Sequence, residues 1–256
     1  MSWFKKIFGK NVIEDLPELE ENENTFRVTR LEKELKEPKH IICNGKEVEI
    51  KWDQINRFDR GGLGYEKTHY KTRTVRNPKM FVAHWDGCLN TNQMVEVTKE
   101  RGLSVHFGID TDGTIHQLLD TKDIAWHARG INTQSIGVEI ANPVKIRYNR
   151  RYKNKGQPVR KVVVGDKIHG REMAPYLDFY PVQVEALKAL VRAVCEAHKI
   201  PLGAPLDESG ELVRGVDKRV TGRSFSGIVG HYHLNEQKTD PGRLPLDEIA
   251  KELREE

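Results

Sequence analysis

Gly230-His231-Tyr232-His233-Leu234-Asn235-Glu236-Gln237-Lys238-Thr239-Asp240-Pro241-Gly242 is the stretch around which the chain reads as organised. It is too polar for a core strand, and Pro241-Gly242 is turn chemistry, so Lys238 and Asp240 belong to a loop. A loop offering an imidazole, an ammonium and a carboxylate suits a zinc site with an electrophilic neighbour. Catalytic zinc takes three N, O or S protein ligands and keeps a fourth position for water. His231 and Asp240 supply two. The third candidate is His84, because it closes the apolar run Met80-Phe81-Val82-Ala83, which reads as a buried strand ending at a sheet edge.

Working outward, the compact domain reads as beginning near residue 78. Met80 to His84 is a strand, Thr91 to Arg101 a short helix, and Val105–Ile109 with Ile115–Leu119 a hairpin about Asp112-Gly113. Ser135 to Ala141 alternates, with Ile136, Val138 and Ile140 on one face and Gly137, Glu139 and Ala141 on the other. A lone Glu among small residues has room around it, which suits a site floor. Val184, Leu187, Leu190, Val191 and Val194 mark an amphipathic helix from Tyr180-Pro181 to about His198. Ile228-Val229 is a short strand running into His231, and Leu246 to Leu253 a closing helix. Interleaved strands and helices predict an α/β domain with a single central mixed sheet flanked by helices.

Two regions stand apart. Lys145, Arg147, Arg150, Arg151, Lys153, Lys155, Arg160 and Lys161 occur without an acidic residue, which predicts a basic inserted segment within 143–176 facing a polyanionic surface. Residues 1–77 read as an N-terminal extension preceding a catalytic domain at 78–256. In the extension, Trp3, Phe4, Ile7 and Phe8 share a helix face beside Lys5 and Lys6, the pattern of an interfacial anchor or of a short helix docking on its own domain. Residues 14–38 read as a charged helix or linker, and Asn44-Gly45 between alternating runs as a hairpin.

The balance of 42 basic and 38 acidic side chains leaves a net charge of +4, too small to argue for nucleic-acid binding. Three cysteines with no framework spacing predict reduced thiols. No apolar run reaches the ~20 residues of a membrane span, and the first residues lack a signal-peptide pattern, so synthesis in the cytoplasm is expected.

Phe81-Val82-Ala83-His84, Val105 to Asp110 with Asp112-Gly113-Thr114-Ile115, Ala125-Trp126-His127-Ala128, Ser135 to Glu139, and Gly230-His231 through Gly242 come in one order. That order resembles the zinc N-acetylmuramoyl-L-alanine amidases of the amidase-2 class, which share their fold with peptidoglycan recognition proteins and small phage lysins. The resemblance implies one zinc ion held by His84, His231 and Asp240, Glu139 as general base and Lys238 as stabiliser of the developing oxyanion. It further implies that His127, Trp126 and Asn132 contact substrate. The reaction implied is hydrolysis of the amide between N-acetylmuramic acid and L-alanine of the stem peptide, in a phage-type endolysin. A cytosolic wall-recycling amidase and a non-catalytic peptidoglycan-recognition module are the alternatives, and peptidoglycan or its muropeptides the expected partner. Val105 and Asp240 stand where some lysins of this fold carry Tyr and Cys, which places the chain nearer the Glu and Asp branch.

Simpler readings stand beside these. His233 competes with His231 as a ligand, although in an extended segment the two rings point to opposite sides. Cys88 reads as structural, and His106, His116, His169 and His198 as ordinary polar residues.

Overall fold

The computed structural model of the chain describes residues 39–256. The amphipathic start and the charged stretch 14–38 lie outside the described residues.

The described chain opens with β1 (Lys39–Cys43) and β2 (Lys46–Ile50), then β3 (Ile55–Arg57), β4 (Tyr70–Lys71) and β5 (Met80–Trp85). Helix α1 (Thr91–Glu100) leads to β6 (Phe107–Ile109), β7 (Ile115–Gln117), β8 (Ile124–Ala125) and β9 (Ser135–Ile140). There follow α2 (Asn149–Asn154), β10 (Val162–Val163), β11 (Lys167–Ile168), β12 (Arg171–Glu172) and β13 (Tyr176–Leu177). The chain closes with α3 (Pro181–His198), α4 (Lys218–Thr221), β14 (Gly227–Gly230) and α5 (Leu246–Glu255). Six strands form one mixed sheet in the order β14-β5-β9-β6-β7-β3, parallel throughout except for the β6–β7 hairpin.

The alternation of β9 works as the sequence predicts. Ile136, Val138 and Ile140 join Phe81, Ala83 and Phe107 against Leu187, Leu190, Val191 and Val194 of α3 and Leu246, Ile249 and Leu253 of α5. Fully burying such side chains contributes roughly 1.5–3 kcal/mol each, so this layer dominates the stability of the fold. On the opposite face Met80 and Val82 pack with Val229, Val220 and Ile131. Both faces of β5 are therefore covered, which is why its sequence is a continuous apolar run rather than an alternating one. Helix α1 starts at Asn90, whose side chain accepts from the Gln93 amide at 2.9 Å, and buries Met94 and Val95 near Val105 and Leu118. All three cysteines are buried and unpaired.

One compact unit runs from Lys39 to Glu256, so residues 39–77 of the expected extension belong to the same unit as residues 78–256. Asn44 and Gly45, with φ of 52° and 75°, make the expected tight turn. Ile41, Cys43 and Ile50 then enter the main core. The Gln117 side chain clasps the Ile42 backbone with two bonds of 2.8 Å, and β3 pairs with β7 at the sheet edge. A five-residue alternation shows that a strand has an apolar face but not which surface covers it.

The basic segment carries regular structure. It folds as α2 followed by short antiparallel pairs, β10 with β13 and β11 with β12. Arg160 is only 3% exposed and does not serve the surface. Its guanidinium donates to Ala141 O (2.8 Å), Asp178 O (2.9 Å) and Gln183 Oε1 (3.0 Å), and lies 4.0 Å from the Tyr180 ring centre. The other seven cations of the run are exposed.

Candidate metal centre

Three adjacent parallel strands deliver the site. His84 near the end of β5 stands opposite Glu139 of β9, and β14 runs parallel on the other side of β5 with Gly230 opposite Ala83. From Gly230 the chain enters a 3-10 turn, His231–His233. His84, Glu139 and His231 thus emerge at the carboxyl ends of the strands, the edge where open α/β sheets bind ligands. Asp240 arrives from the loop beyond. Its carbonyl accepts from the Tyr232 amide at 3.0 Å, and a Cβ on Gly230 would sit 2.7 Å from Pro241 Cδ. Glycine before His231 is what lets the returning loop come that close.

His84 Nδ1, His231 Nδ1 and Asp240 Oδ2 face one another at 2.9–3.0 Å. The three residues are the group among the described residues able to hold a metal ion. His84 is 1% exposed and Asp240 7%. Burial, then the neighbouring His231, pushes His84 down to about 4. Burial alone would raise the Asp240 carboxyl, but the adjacent His231 and His84 rings outweigh it and hold the group well below its usual range. A neutral His84 imidazole and an ionised carboxylate are the forms a divalent cation requires.

Glu139 completes the floor of a cleft of about 260 Å³ whose walls include Met94, Arg101, Trp126 and Lys238. Its Oε2 is shut off from solvent and has no hydrogen-bond partner. Burial first, then repulsion from Asp240 and Asp86, raises its carboxyl well above the ordinary range, while Lys238 pulls in the opposite direction. An orphaned buried carboxylate oxygen beside a ligand triad is a polar group without its partner, as an active-site base is before its substrate arrives.

His127 reaches the centre from behind. Its Nδ1 lies 3.1 Å from His84 Nε2, its Nε2 lies 3.2 Å from Ser135 Oγ, and Ser135 Oγ donates to Ile131 O at 3.0 Å. The chain ends on a carbonyl, which only accepts, so one proton arrangement satisfies every link. Ser135 donates to the carbonyl, His127 Nε2–H donates to Ser135, and His84 Nε2–H donates to His127 Nδ1. That arrangement leaves His84 Nδ1 as a bare lone pair facing His231 and Asp240. A ligating histidine almost always donates its second N–H in this way, which fixes its tautomer and aim. The space at Gly137 is what admits the ring, since a Cβ there would lie 2.4 Å from His127 Nδ1. The room expected on that face of β9 is real, but an imidazole fills half of it.

The remaining assignments divide. Lys238 and Trp126 line the cleft, and His127 borders it while its ring nitrogens are spent on His84 and Ser135. Asn132 does not contact the cleft. Its Oδ1 accepts from the backbone of His127 (3.2 Å) and Ala128 (2.7 Å), so it shapes the loop carrying His127. His233 turns away through the 3-10 turn rather than an extended segment. It accepts from Gly230 N at 2.9 Å and donates to Val213 O at 2.8 Å. Cys88 lines the cleft wall outside the ligand triad. His106 and His198 are satisfied inside the fold by Asp123 O with Gly137 N and by Thr121, respectively. Ser135 and His169, which bonds the Lys238 carbonyl at 2.8 Å, carry no local sequence signal for a site. The one available hint is the His169-Gly170 pair, a turn dipeptide inside the basic segment.

The family profile described as N-acetylmuramoyl-L-alanine amidase matches residues 74–243, more than half of the 256 residues. No curated protein sequence matches the chain. Among solved structures, the chain resembles the endolysin N-acetylmuramoyl-L-alanine amidase LysCS of Clostridium intestinale URNW. Identity is 20% and the TM-score 0.45, over 78% of this chain and 95% of that one. It also resembles the Ph2119 endolysin of the Thermus scotoductus MAT2119 bacteriophage, at 17% identity and TM-score 0.44, over 77% and 97%. A third is the N-acetylmuramyl-L-alanine amidase AmiD of E. coli, at 18% identity and TM-score 0.44, over 74% and 65%.

Proposed function

The chain belongs to the N-acetylmuramoyl-L-alanine amidase family, and we propose that it works with one zinc ion held by His84, His231 and Asp240. It hydrolyses the amide bond between N-acetylmuramic acid and L-alanine of the peptidoglycan stem peptide. Two imidazole nitrogens and a carboxylate oxygen are a donor set that suits catalytic zinc with one position left open. Zinc bound there would supply a Lewis acid and an acidified water.

The observation that carries the reading is the orphaned Oε2 of Glu139 one strand away from His84. Glu139 takes a proton from the attacking water and returns it to the leaving amine of alanine. The two halves ask opposite things of the carboxyl. Its raised pKa serves the second, where it must act as an acid, and the charge of Lys238 favours the ionised form needed in the first. Lys238 also presents its ammonium where the amide oxygen gains negative charge. Trp126 offers an apolar wall to the substrate.

The setting we propose is a lysin-type enzyme, made in the cytoplasm and released to the wall by other means. Seven exposed cations between Lys145 and Lys161 would favour an anionic envelope. Neutralising them should reduce lysis of whole cells at low salt and leave hydrolysis of soluble muropeptides intact. Metal content and stem-peptide release, measured on wild type and Glu139→Ala together, test the core of the proposal. One zinc per chain in both, with release by wild type alone, supports it. Release without bound metal, or undiminished release by the variant, would overturn it.

A further inference from the structure

The loop from Lys238 to Arg243 is gripped by the basic segment at both ends. At its start, His169 Nε2–H donates to the Lys238 carbonyl at 2.8 Å. At its end, the Arg243 amide donates to Tyr176 Oη at 2.8 Å, and that hydroxyl donates to Asp166 Oδ2 at 2.6 Å. Arg214 links the same Asp166 to the Gly242 carbonyl, which it reaches at 3.0 Å. A Cβ on Gly242 would lie 2.8 Å from Tyr176 Oη and 2.6 Å from the Trp85 ring, so the loop is seated against this scaffold without a gap.

His169 holds its position at a local cost. It is the first residue of the two-residue turn joining β11 to β12, with φ of 54°, followed by Gly170 at 71°. Positive φ is unfavourable for a residue with a side chain, and such a turn prefers Asn-Gly. Its own amide donates to Arg214 O at 2.7 Å, which anchors the turn beside the loop. A non-glycine residue in the left-handed region whose ring grips the backbone of a site lysine is an outlier that points to function.

We infer that His169 is a positioning residue for the reaction: by holding the Lys238 carbonyl it fixes the main chain that aims Lys238, with Asp166 and Tyr176 securing the other end of the loop. This gives the β11–β13 part of the inserted segment a role in catalysis separate from its charge. The inference rests on the proposed role of Lys238.

The test is His169→Asn. Asparagine suits the left-handed turn better than histidine, but its amide ends short of where the imidazole Nε2 lies, so it cannot reach the carbonyl. In the metal-free protein the thermal midpoint should stay the same or rise, while hydrogen exchange at the amides of residues 238–242 speeds up. In the zinc-loaded enzyme kcat should fall about 10-fold or more with KM little changed, the signature of a misplaced group rather than a lost binding contact. Placed on top of Lys238→Ala, His169→Asn should cost nothing further. An unchanged kcat with unchanged exchange would overturn the inference. So would a drop in thermal midpoint of several degrees together with the loss of activity, because the contact would then be general stabilisation. His169→Gly, which also accepts the turn, should reproduce the asparagine result. If Lys238→Ala itself kept full kcat, the oxyanion role would fail, and exchange in metal-free His169→Asn would still decide whether the loop is held.

Discussion

Replacing Glu139 by glutamine should make the metal-free protein more stable at neutral pH while abolishing most of its activity. The carboxyl is raised well above its ordinary 4.5, with burial as the leading cause. Between 4.5 and the folded-state value, the native protein holds more protons than the unfolded chain. The stability linked to this group is therefore complete below pH 4.5 and is lost as pH rises. Each unit by which the folded-state value is raised costs about 1.4 kcal/mol once pH has passed it, so the group lowers stability on the neutral side relative to one that never titrates. Glutamine keeps the shape and removes the titration. For a domain of this size each kcal/mol regained raises Tm by roughly 2–4 °C, and the gain shrinks to nothing as pH falls to 4.5 and below. The assay is calorimetry of both proteins in chelator from pH 4.5 to 8, with muropeptide hydrolysis of the metal-loaded forms alongside. The variant should lose roughly 10²–10⁴ in kcat, the usual contribution of a general base. Parallel Tm curves for the two proteins, with no divergence above pH 4.5, would refute the claim that Glu139 is held as a desolvated carboxyl.

On the acid side the metal-free protein should lose stability as pH falls from 6.5 towards 4, because His84, with its pKa lowered to about 4, takes up protons more readily unfolded; the pH dependence of unfolding in His84→Ala should be flatter across that window. His127→Phe should weaken zinc binding by about 10–100-fold in a chelator competition, whereas His127→Asn, which can still accept from His84 Nε2–H, should restore much of it. Gly137→Ala should resemble the phenylalanine variant, since its methyl occupies the place of the His127 ring. Lys238→Ala should lower kcat about 10²–10³-fold with zinc still bound, read by metal analysis and steady-state kinetics together. Arg160→Ala should cost about 3 kcal/mol in urea unfolding because it leaves the Ala141 and Asp178 carbonyls without this donor, while Lys153→Ala on the exposed surface should stay within ~0.5 kcal/mol.

The sequence by itself determined the strands that carry the chemistry. A continuous apolar run before His84 marks a strand buried on both faces, and alternation through Ser135–Ile140 shows which side of β9 meets the helices. It also brought out Glu139 as the one charge on the small-residue face, and the Pro-Gly turn that makes Lys238 and Asp240 loop residues. These features are periodicities and turn preferences, and they act over a few residues. What only the tertiary structure decided lies between segments distant in the chain. The hairpin at 39–50 belongs to the core because α3 covers its apolar face, and Arg160 is buried among tyrosines rather than displayed with its neighbours. Asn132 faces a backbone turn instead of the cleft. His127 is spent on orienting His84, and His169, 69 residues from Lys238, reaches its carbonyl. Each of these depends on where a side chain's polar atoms find a partner. A hydrogen bond is satisfied by a distance of about 3 Å in space, whatever the separation along the sequence.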